Sequence, residues 1–300
     1  MALSARATIA AGVFVALLTG PGCIDIVGAD LGRYVEREEK HFPVAGSPDV
    51  SLSTFDGAIE IRPWDKPEVQ VVVEKRGRDK EATAAIEVHA EASGNRVDIR
   101  VTTPKTSGFG FHFNDSRSAK LIVSLPASSD VKASSGDGSI DIERVAGRVE
   151  LRSGDGSIRG HSLGGDVSAH TGDGSIKLDG VNGTLNADTG DGSITVAGTL
   201  TIVRARSGDG NVTIQAGHGS VPSGDWDITT GDGSVTLEVP DAFGAELDAH
   251  TGDGSIRMHD LTLSNVTGEI GKRTVRGRLG AGGHAVRVRT GDGSIVLKRS

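Results

Sequence analysis

The chain has 300 residues, of which 44 are Gly and 9 are Pro, and only 3% of its side chains are aromatic. Its hydrophobic fraction of 36% can fill a thin aliphatic core, and the glycines do not recur at every third position as they do in collagen. The formal net charge of -8 argues against a general nucleic-acid-binding protein, which is normally strongly basic.

Residues 1–22 have the features of an export signal. Arg6 precedes an apolar run from Ala7 to Leu18, which is too short to span a membrane, and small residues follow it. Cys23 is the only cysteine of the sequence, so no intramolecular disulfide can form. Its position resembles that of the lipid-modified cysteine of bacterial lipoproteins, although the preceding leucine stands farther away than usual. We predict export, with either lipidation at Cys23 or simple cleavage of the signal.

A tether is predicted over residues 23–43, because this segment is mostly polar and its charge run Glu36–Lys40 shows no apolar period. Residues 44–300 are predicted to form a single β-solenoid domain, in which the rungs of 44–133 are irregular. Short alternating runs predict the strands of that part. A short helix is predicted from Lys80 to Ile86.

An inserted loop is predicted between Thr103 and Ser118. It contains Phe109, Phe111 and Phe113, separated by Gly110 and His112. These rings either cover the solenoid as a strand or lid, or form an exposed contact patch.

The regular rungs, predicted over 134–300, repeat the sequence Gly-Asp-Gly-Ser-Ile. The central aspartates are Asp137, Asp155, Asp173, Asp191 and Asp209, each 18 residues after the last, followed by Asp232, Asp253 and Asp292. A degenerate ninth copy occupies 271–275, and Phe55–Ile59 is a worn copy. A fixed period near 20 residues is typical of a solenoid, whose units bury their apolar faces against one another.

Alternation within one rung predicts two short strands and two turns per coil. In the rung that contains Ile176, we expect this residue and Leu185 to point inward and Lys177 to face water. The predicted fold class is therefore all-β, a parallel β-helix or β-solenoid with rungs of about 18–21 residues.

The repeated aspartates should stack along one edge, about 4.8 Å apart. Adjacent carboxylates at that distance repel by about 1 kcal/mol in water. We interpret the motif as a tight turn in which glycine supplies positive φ and the carboxylate accepts backbone N–H groups. The alternative is a calcium-binding β-roll whose ligands are Asp137, Asp155, Asp173, Asp191 and Asp209. One carboxylate per rung is few for calcium, which prefers six to eight oxygens.

A second alternative is a carbohydrate-active β-helix enzyme with paired carboxylates such as Asp137 and Asp155. A catalytic pair should interrupt the repeat, whereas these residues constitute it. We therefore assign no catalytic residue, no resident metal and no cofactor.

The C-terminal part, 257–300, has nine Lys or Arg residues against three acidic ones. We expect this end either to contact anionic glycans or lipid headgroups, or to protect an exposed end of the solenoid.

Several stretches together resemble the bacterial β-strand-repeat family named "putative adhesin". They are the export signal, Phe55–Ile59, the repeated Gly-Asp-Gly-Ser-Ile, and the closing segments Thr274–Gly283 and Val286–Ile295. The resemblance extends from about Val44 to Leu297. It implies a right-handed, exported β-helix without established enzyme chemistry.

The resulting prediction is an exported, non-catalytic β-solenoid at the cell envelope, acting as an adhesin, surface-interaction or scaffold protein. The expected partners are an envelope protein or a surface glycan, together with the membrane through a lipid at Cys23. Nucleic acid is not an expected partner.

Overall fold

The computed structural model describes residues 24–25, 34–103, 117–268 and 272–300. These residues form an all-β structure in which 24 strands are hydrogen-bonded into one solenoid-like sheet. The described part contains one helix, α1 (Lys80–Ala84), where the sequence predicts one. No helix in these residues is long and apolar enough to cross a membrane.

The strands alternate along the chain with short turns. The first are β1 (Ile24–Asp25), β2 (Tyr34–Pro43), β3 (Asp49–Thr54), β4 (Ile59–Pro63), β5 (Glu68–Gly77), β6 (Glu87–Ser93), β7 (Arg96–Thr102), β8 (Ser118–Leu125) and β9 (Asp130–Ser135). The middle ones are β10 (Ile140–Glu143), β11 (Ala146–Ser153), β12 (Ile158–His161), β13 (Gly164–Thr171), β14 (Ile176–Thr189), β15 (Ile194–Ser207) and β16 (Val212–Ala216). The last are β17 (Trp226–Thr230), β18 (Val235–Val239), β19 (Ala245–Thr251), β20 (Ile256–His259), β21 (Leu263–Gly268), β22 (Thr274–Leu279), β23 (Ala285–Thr290) and β24 (Ile295–Arg299).

The middle of the stack follows the repeat of the sequence. In parallel register, Ile158 pairs with Ile140 on one side and with Ile176 on the other. The other strand of each rung belongs to a second ladder, in which Val167 lies between equivalent residues of its two neighbours. Each rung thus contributes one strand to each of two parallel ladders.

One aliphatic column runs through the core, as the alternation predicts. Its members are at most 1% exposed, and they are Ile140, Ile158, Ile176, Ile194, Val212, Val235, Ile256 and Ile295. Burial removes each side chain from water, which is the main favourable contribution to folding.

The order of rungs departs from chain order at both ends. Near the N-terminus, β4 lies between β8 and β10, and β3 lies between β7 and β9. Near the C-terminus, β24 lies between β18 and β20, and β23 lies between β17 and β19. The first and the last rung of the chain are therefore each inserted one position in from an end of the stack.

Antiparallel strands close both ends, which corrects the expectation of an all-parallel coil. At one end β5 pairs with β8 and β2, and β6 pairs with β7. At the other, β22 pairs antiparallel with β19 and with β21. The segment predicted as a ninth turn, described from Lys272 onward, thus leads into a hairpin and not into a further rung. By contrast, the worn copy Phe55–Ile59 is a turn of the stack, because Ile59 pairs with Ile140.

The predicted tether is wrong for residues 34–43, which form β2 and pair with β5 along their whole length. The charge run resembled a solvated linker because its alternating carboxylates interrupt the apolar pattern. In the structure, the carboxylates of Glu36 and Glu38 lie 3.6 and 3.3 Å from Lys75 Nζ. The charges therefore belong to an outer strand, where charged side chains discourage further strand pairing.

Candidate functional site

The most regular surface feature is the edge formed by the repeated turns. The strand registers place one aspartate of every turn in a single row, which we name the carboxylate row. In stack order its members are Asp56, Asp137, Asp155, Asp173, Asp191, Asp209, Asp232, Asp292 and Asp253. The row therefore includes the five aspartates of the calcium hypothesis and continues past them at both ends.

The glycines of these turns are required by close stacking. A Cβ atom on Gly154 would lie 2.4 Å from the carbonyl oxygen of Gly136, and one on Gly156 would lie 2.2 Å from that of Gly138. Neither Gly154 nor Gly156 has a positive φ. The predicted positive φ is thus wrong for these turns, and the glycines instead leave room for the turn of the next rung.

A buried hydroxyl joins each turn to its neighbour. Ser153 Oγ accepts a hydrogen bond from the Gly156 N–H at 3.1 Å and donates one to the Gly138 carbonyl at 2.9 Å. The same donation to a neighbouring turn is made by Ser135, Thr171, Thr189, Ser207, Thr230, Thr251 and Thr290. Sequence reasoning missed this role, although the constant Ser or Thr before each Gly-Asp-Gly was a visible signal.

The carboxylates of the row are exposed except that of Asp56, which is half-buried, and within the described residues Asp137, Asp155 and Asp173 accept no backbone hydrogen bond. The predicted Asx turn, in which the carboxylate accepts the N–H group two residues farther along the chain, is therefore wrong for them. The glycines and hydroxyls account for the geometry of the turn without the aspartates.

The electrostatics of the row differ at its two ends. Burial and the charge of Asp137 raise the pKa of Asp56, against a hydrogen bond from the Gly57 N–H. At the other end, the Arg273 guanidinium lies 2.8 Å from the Asp253 carboxylate. A linear array of carboxylates could attract cations or a cationic surface.

No group of three or more His, Cys, Asp or Glu side chains in the described ranges is arranged to hold a metal ion. The calcium ladder therefore stays a prediction. Cys23, Phe109, Phe111 and Phe113 lie outside the described residues, so lipidation and the contact patch also stay predictions.

The basic C-terminal part is largely neutralised by acidic residues of neighbouring strands and turns. Seven of its cations are in ion pairs: Arg273, Arg276, Arg278, Arg287, Arg289, Lys298 and Arg299. Burial opposes ionisation of Asp248, but hydrogen bonds from Arg289 and Arg276, with their charges, keep its pKa below the usual value. The ion pairs of Arg276, Arg278, Arg289 and Lys298 therefore contribute to pairing between strands near the C-terminal end of the stack.

The fold and this edge define an all-β, solenoid-like protein built on one repeated glycine turn. The chain belongs to the Toastrack DUF4097 family, whose model matches residues 49–298. The match covers the irregular first rungs as well as the regular repeats, and it confirms the family resemblance seen in the sequence.

Solved structures of bacterial proteins share low similarity with the chain. A putative cell adhesion protein from Clostridium sporogenes is 14% identical, with 88% of this chain and 100% of that chain covered and a TM-score of 0.29. A putative adhesin from Bacteroides fragilis is 10% identical, with 88% and 97% covered and a TM-score of 0.35. A putative lipid binding protein from Parabacteroides distasonis is 13% identical, with 88% and 96% covered and a TM-score of 0.29. No curated protein matches the chain.

Proposed function

We propose that the protein is an exported, non-catalytic β-solenoid that is attached to the cell envelope and acts through its surface, as an adhesin or scaffold. One observation carries the proposal. Strand β1 pairs Ile24 with Glu38 of β2, an outer strand at the N-terminal end of the stack. The residue after Cys23 therefore lies against the stack itself, and a lipid on Cys23 would hold this end close to the membrane.

The length of the stack supports a display role. Ten rungs at the usual strand spacing extend over about 45 Å. Anchoring at one end would carry the opposite end and both sheet faces away from the membrane. Two acyl chains would anchor such a domain stably, whereas one gives marginal attachment.

The finer geometry is part of the same proposal. We infer a right-handed coil with rungs of about 18–21 residues, because crossover connections between parallel strands of one sheet are almost always right-handed. The 18-residue offset between Ile140 and Ile158 supports the rung length in the middle of the stack.

Membrane fractionation tests the anchor. We expect the wild-type protein in the membrane fraction, with a lipid mass on its N-terminal peptide, and Cys23→Ser in the soluble fraction. Ser47→Ala, which changes an exposed side chain, should stay with the membrane. A wild-type protein that is soluble and carries no lipid would contradict the anchor and leave simple cleavage of the signal.

Cell adhesion tests the surface role. Cells that express the wild-type protein should adhere to a surface coated with envelope polysaccharide more strongly than cells that lack it. Equal adhesion by the two strains, with normal amounts of protein in the envelope, would contradict the adhesin role.

A further inference from the structure

We propose that the groove around Trp64 binds a sugar unit that carries a carboxylate group; this inference rests on the proposed surface-binding function and names a ligand class for it. The groove has a volume of about 400 Å³, and its apolar lining includes Val44, Trp64, Pro67 and Pro126. It lies near the N-terminal end of the stack, on the edge opposite the carboxylate row. Its volume is within the range of small-molecule sites.

The Trp64 ring is held rigidly. Its Nε1–H donates a hydrogen bond to the Glu68 carbonyl at 2.7 Å, and its backbone N–H donates one to the Leu125 carbonyl at 3.0 Å. The side chain is nevertheless only half-buried. A fixed, accessible indole provides a flat apolar surface at little entropic cost, which suits the apolar face of a sugar ring.

The second tryptophan shows what a structural indole looks like in this protein. Trp226 is 0% exposed, packs edge-on against Phe243, and donates its Nε1–H to the Thr201 carbonyl. Both indole N–H groups donate hydrogen bonds, so Trp64 differs from Trp226 in its exposure to solvent. Packing in the core explains the presence of a tryptophan at position 226. It does not explain why part of the Trp64 side chain is exposed.

Lys66 supplies the positive charge on the polar rim of the groove, beside the carboxylate of Asp65. Lys66 Nζ lies 4.6 Å from the centroid of the Trp64 ring, and its side chain is 63% exposed. The nearest carboxylate of its ion pair, on Glu68, is 3.7 Å away, which is a loose contact. Asp65 and Ser128 complete the rim and can hydrogen-bond to sugar hydroxyl groups.

These positions indicate that Lys66 exchanges one contact for another when the sugar binds. In the free protein, the ammonium group of Lys66 covers the indole through a cation–π contact. A sugar carboxylate offers that cation a stronger, charge-assisted hydrogen bond. As the lysine swings toward the carboxylate, the ring becomes available to the apolar face of the sugar. A neutral sugar would have to displace the lysine without this compensation.

Tryptophan fluorescence provides the test, with the trimer of galacturonic acid as probe and its methyl ester as the uncharged control. We expect a saturable change with the acid and about tenfold weaker binding of the ester. Lys66→Met should weaken binding of the acid about tenfold and remove the preference over the ester. Trp64→Phe should abolish the fluorescence change, because Trp226 is buried.

Calorimetry on the same variants completes the design. Trp64→Ala should lose at least tenfold in affinity while its circular dichroism stays that of the wild type, and Lys132→Met, at another exposed lysine, should bind as the wild type does. The proposal is overturned if the wild type shows no saturable response, if Lys66→Met and Lys132→Met behave alike, or if a proline-rich peptide binds more tightly than the acid. Fractionation measures anchoring separately, so loss of sugar binding alone would refute the site and leave the proposed envelope location.

Discussion

The middle of the stack and its two ends are built from similar strands but follow different rules. Between Ile140 and Val212, each rung pairs with the rung next to it in the chain. At the ends, the neighbours in the stack are distant in the chain: Val235 pairs with Ile295, 60 residues away. Local repetition therefore determines the middle, whereas long-range strand insertion determines the ends.

The difference has a physical basis in how sheet edges are satisfied. A regular coil would end in two strands with unpaired backbone groups, which invite association with other chains. Here the first and the last rung of the chain are enclosed on both sides, and antiparallel strands such as β2 and β22 lie farther out in the stack. The strands at the ends therefore protect the regular rungs from pairing with other chains. The irregular sequence of the end segments is a consequence of this role.

The largest effect should come from placing a charge in the core at the middle of the stack. Ile176→Asp puts an uncompensated carboxylate into the aliphatic column, and we expect it to cost more than about 4 kcal/mol of unfolding free energy and to prevent folding. Val275→Asp, in the end strand β22, should disrupt mainly the terminal hairpin, because each unit of a solenoid contacts only its neighbours.

Urea denaturation and amide hydrogen exchange distinguish these outcomes, and Lys177→Asp at the adjacent exposed position is the control. Equal loss of protection throughout the molecule in both core variants would show that the ends and the middle unfold as one unit.

A smaller effect is expected from adding one methyl group to a stacked turn. In Gly156→Ala, the Cβ atom would lie 2.2 Å from a carbonyl oxygen, so the backbone must shift, at about 3 kcal/mol. In Gly164→Ala, the nearest atom is 3.4 Å away, the φ angle is not positive, and the change should be neutral or slightly stabilising. Thermal unfolding of the pair measures the difference, and similar melting temperatures would contradict the close-stacking account of the motif.

Removing one buried hydroxyl should destabilise the protein less than Gly156→Ala does. Thr189→Val leaves the Gly174 carbonyl and the Gly192 N–H without their partner, and we expect a loss of about 2 kcal/mol. Thr195→Val, on the outer face of the same rung, should change stability by less than about 0.5 kcal/mol. Chemical denaturation of both variants gives the values; a neutral Thr189→Val would show that water replaces the hydroxyl.

The sequence predicted the middle of the fold well. The period of the repeat and the alternation of buried residues both follow from the stacking of similar rungs. Ile176 and Leu185 point inward and Lys177 outward, as alternation requires. The inserted rungs could not be predicted in the same way, because Ile295 resembles every other repeat and nothing local indicates its partners. The repeat located the turns correctly but did not give the reason for their glycines. The glycines are needed because the turn of the next rung approaches closely, and that contact exists only in the folded structure.

The two candidate sites differ in the same way as the middle and the ends. The carboxylate row follows from the repeat alone, whereas the groove at Trp64 unites segments that are far apart in the chain, such as Val44 and Pro126. Trp64 stands in a stretch without the repeat, so no period in the sequence indicates its role. Features of the middle can thus be predicted from sequence, and features of the ends require the pairing of distant strands.

The smallest expected effect concerns the carboxylate row, where the middle and the end again differ. Asp173 accepts no backbone hydrogen bond in the described residues, so Asp173→Asn should change stability by less than about 0.5 kcal/mol and relieve some repulsion. Asp253→Asn breaks the exposed pair with Arg273 and should cost at most about 1 kcal/mol, less at high salt. Melting temperatures should be insensitive to millimolar calcium and to EDTA. If the row held calcium, a hundredfold excess over its dissociation constant would add about 2.7 kcal/mol. A rise of that size, abolished by Asp173→Asn and retained in Asp253→Asn, would establish the row as a calcium ladder centred on the regular rungs.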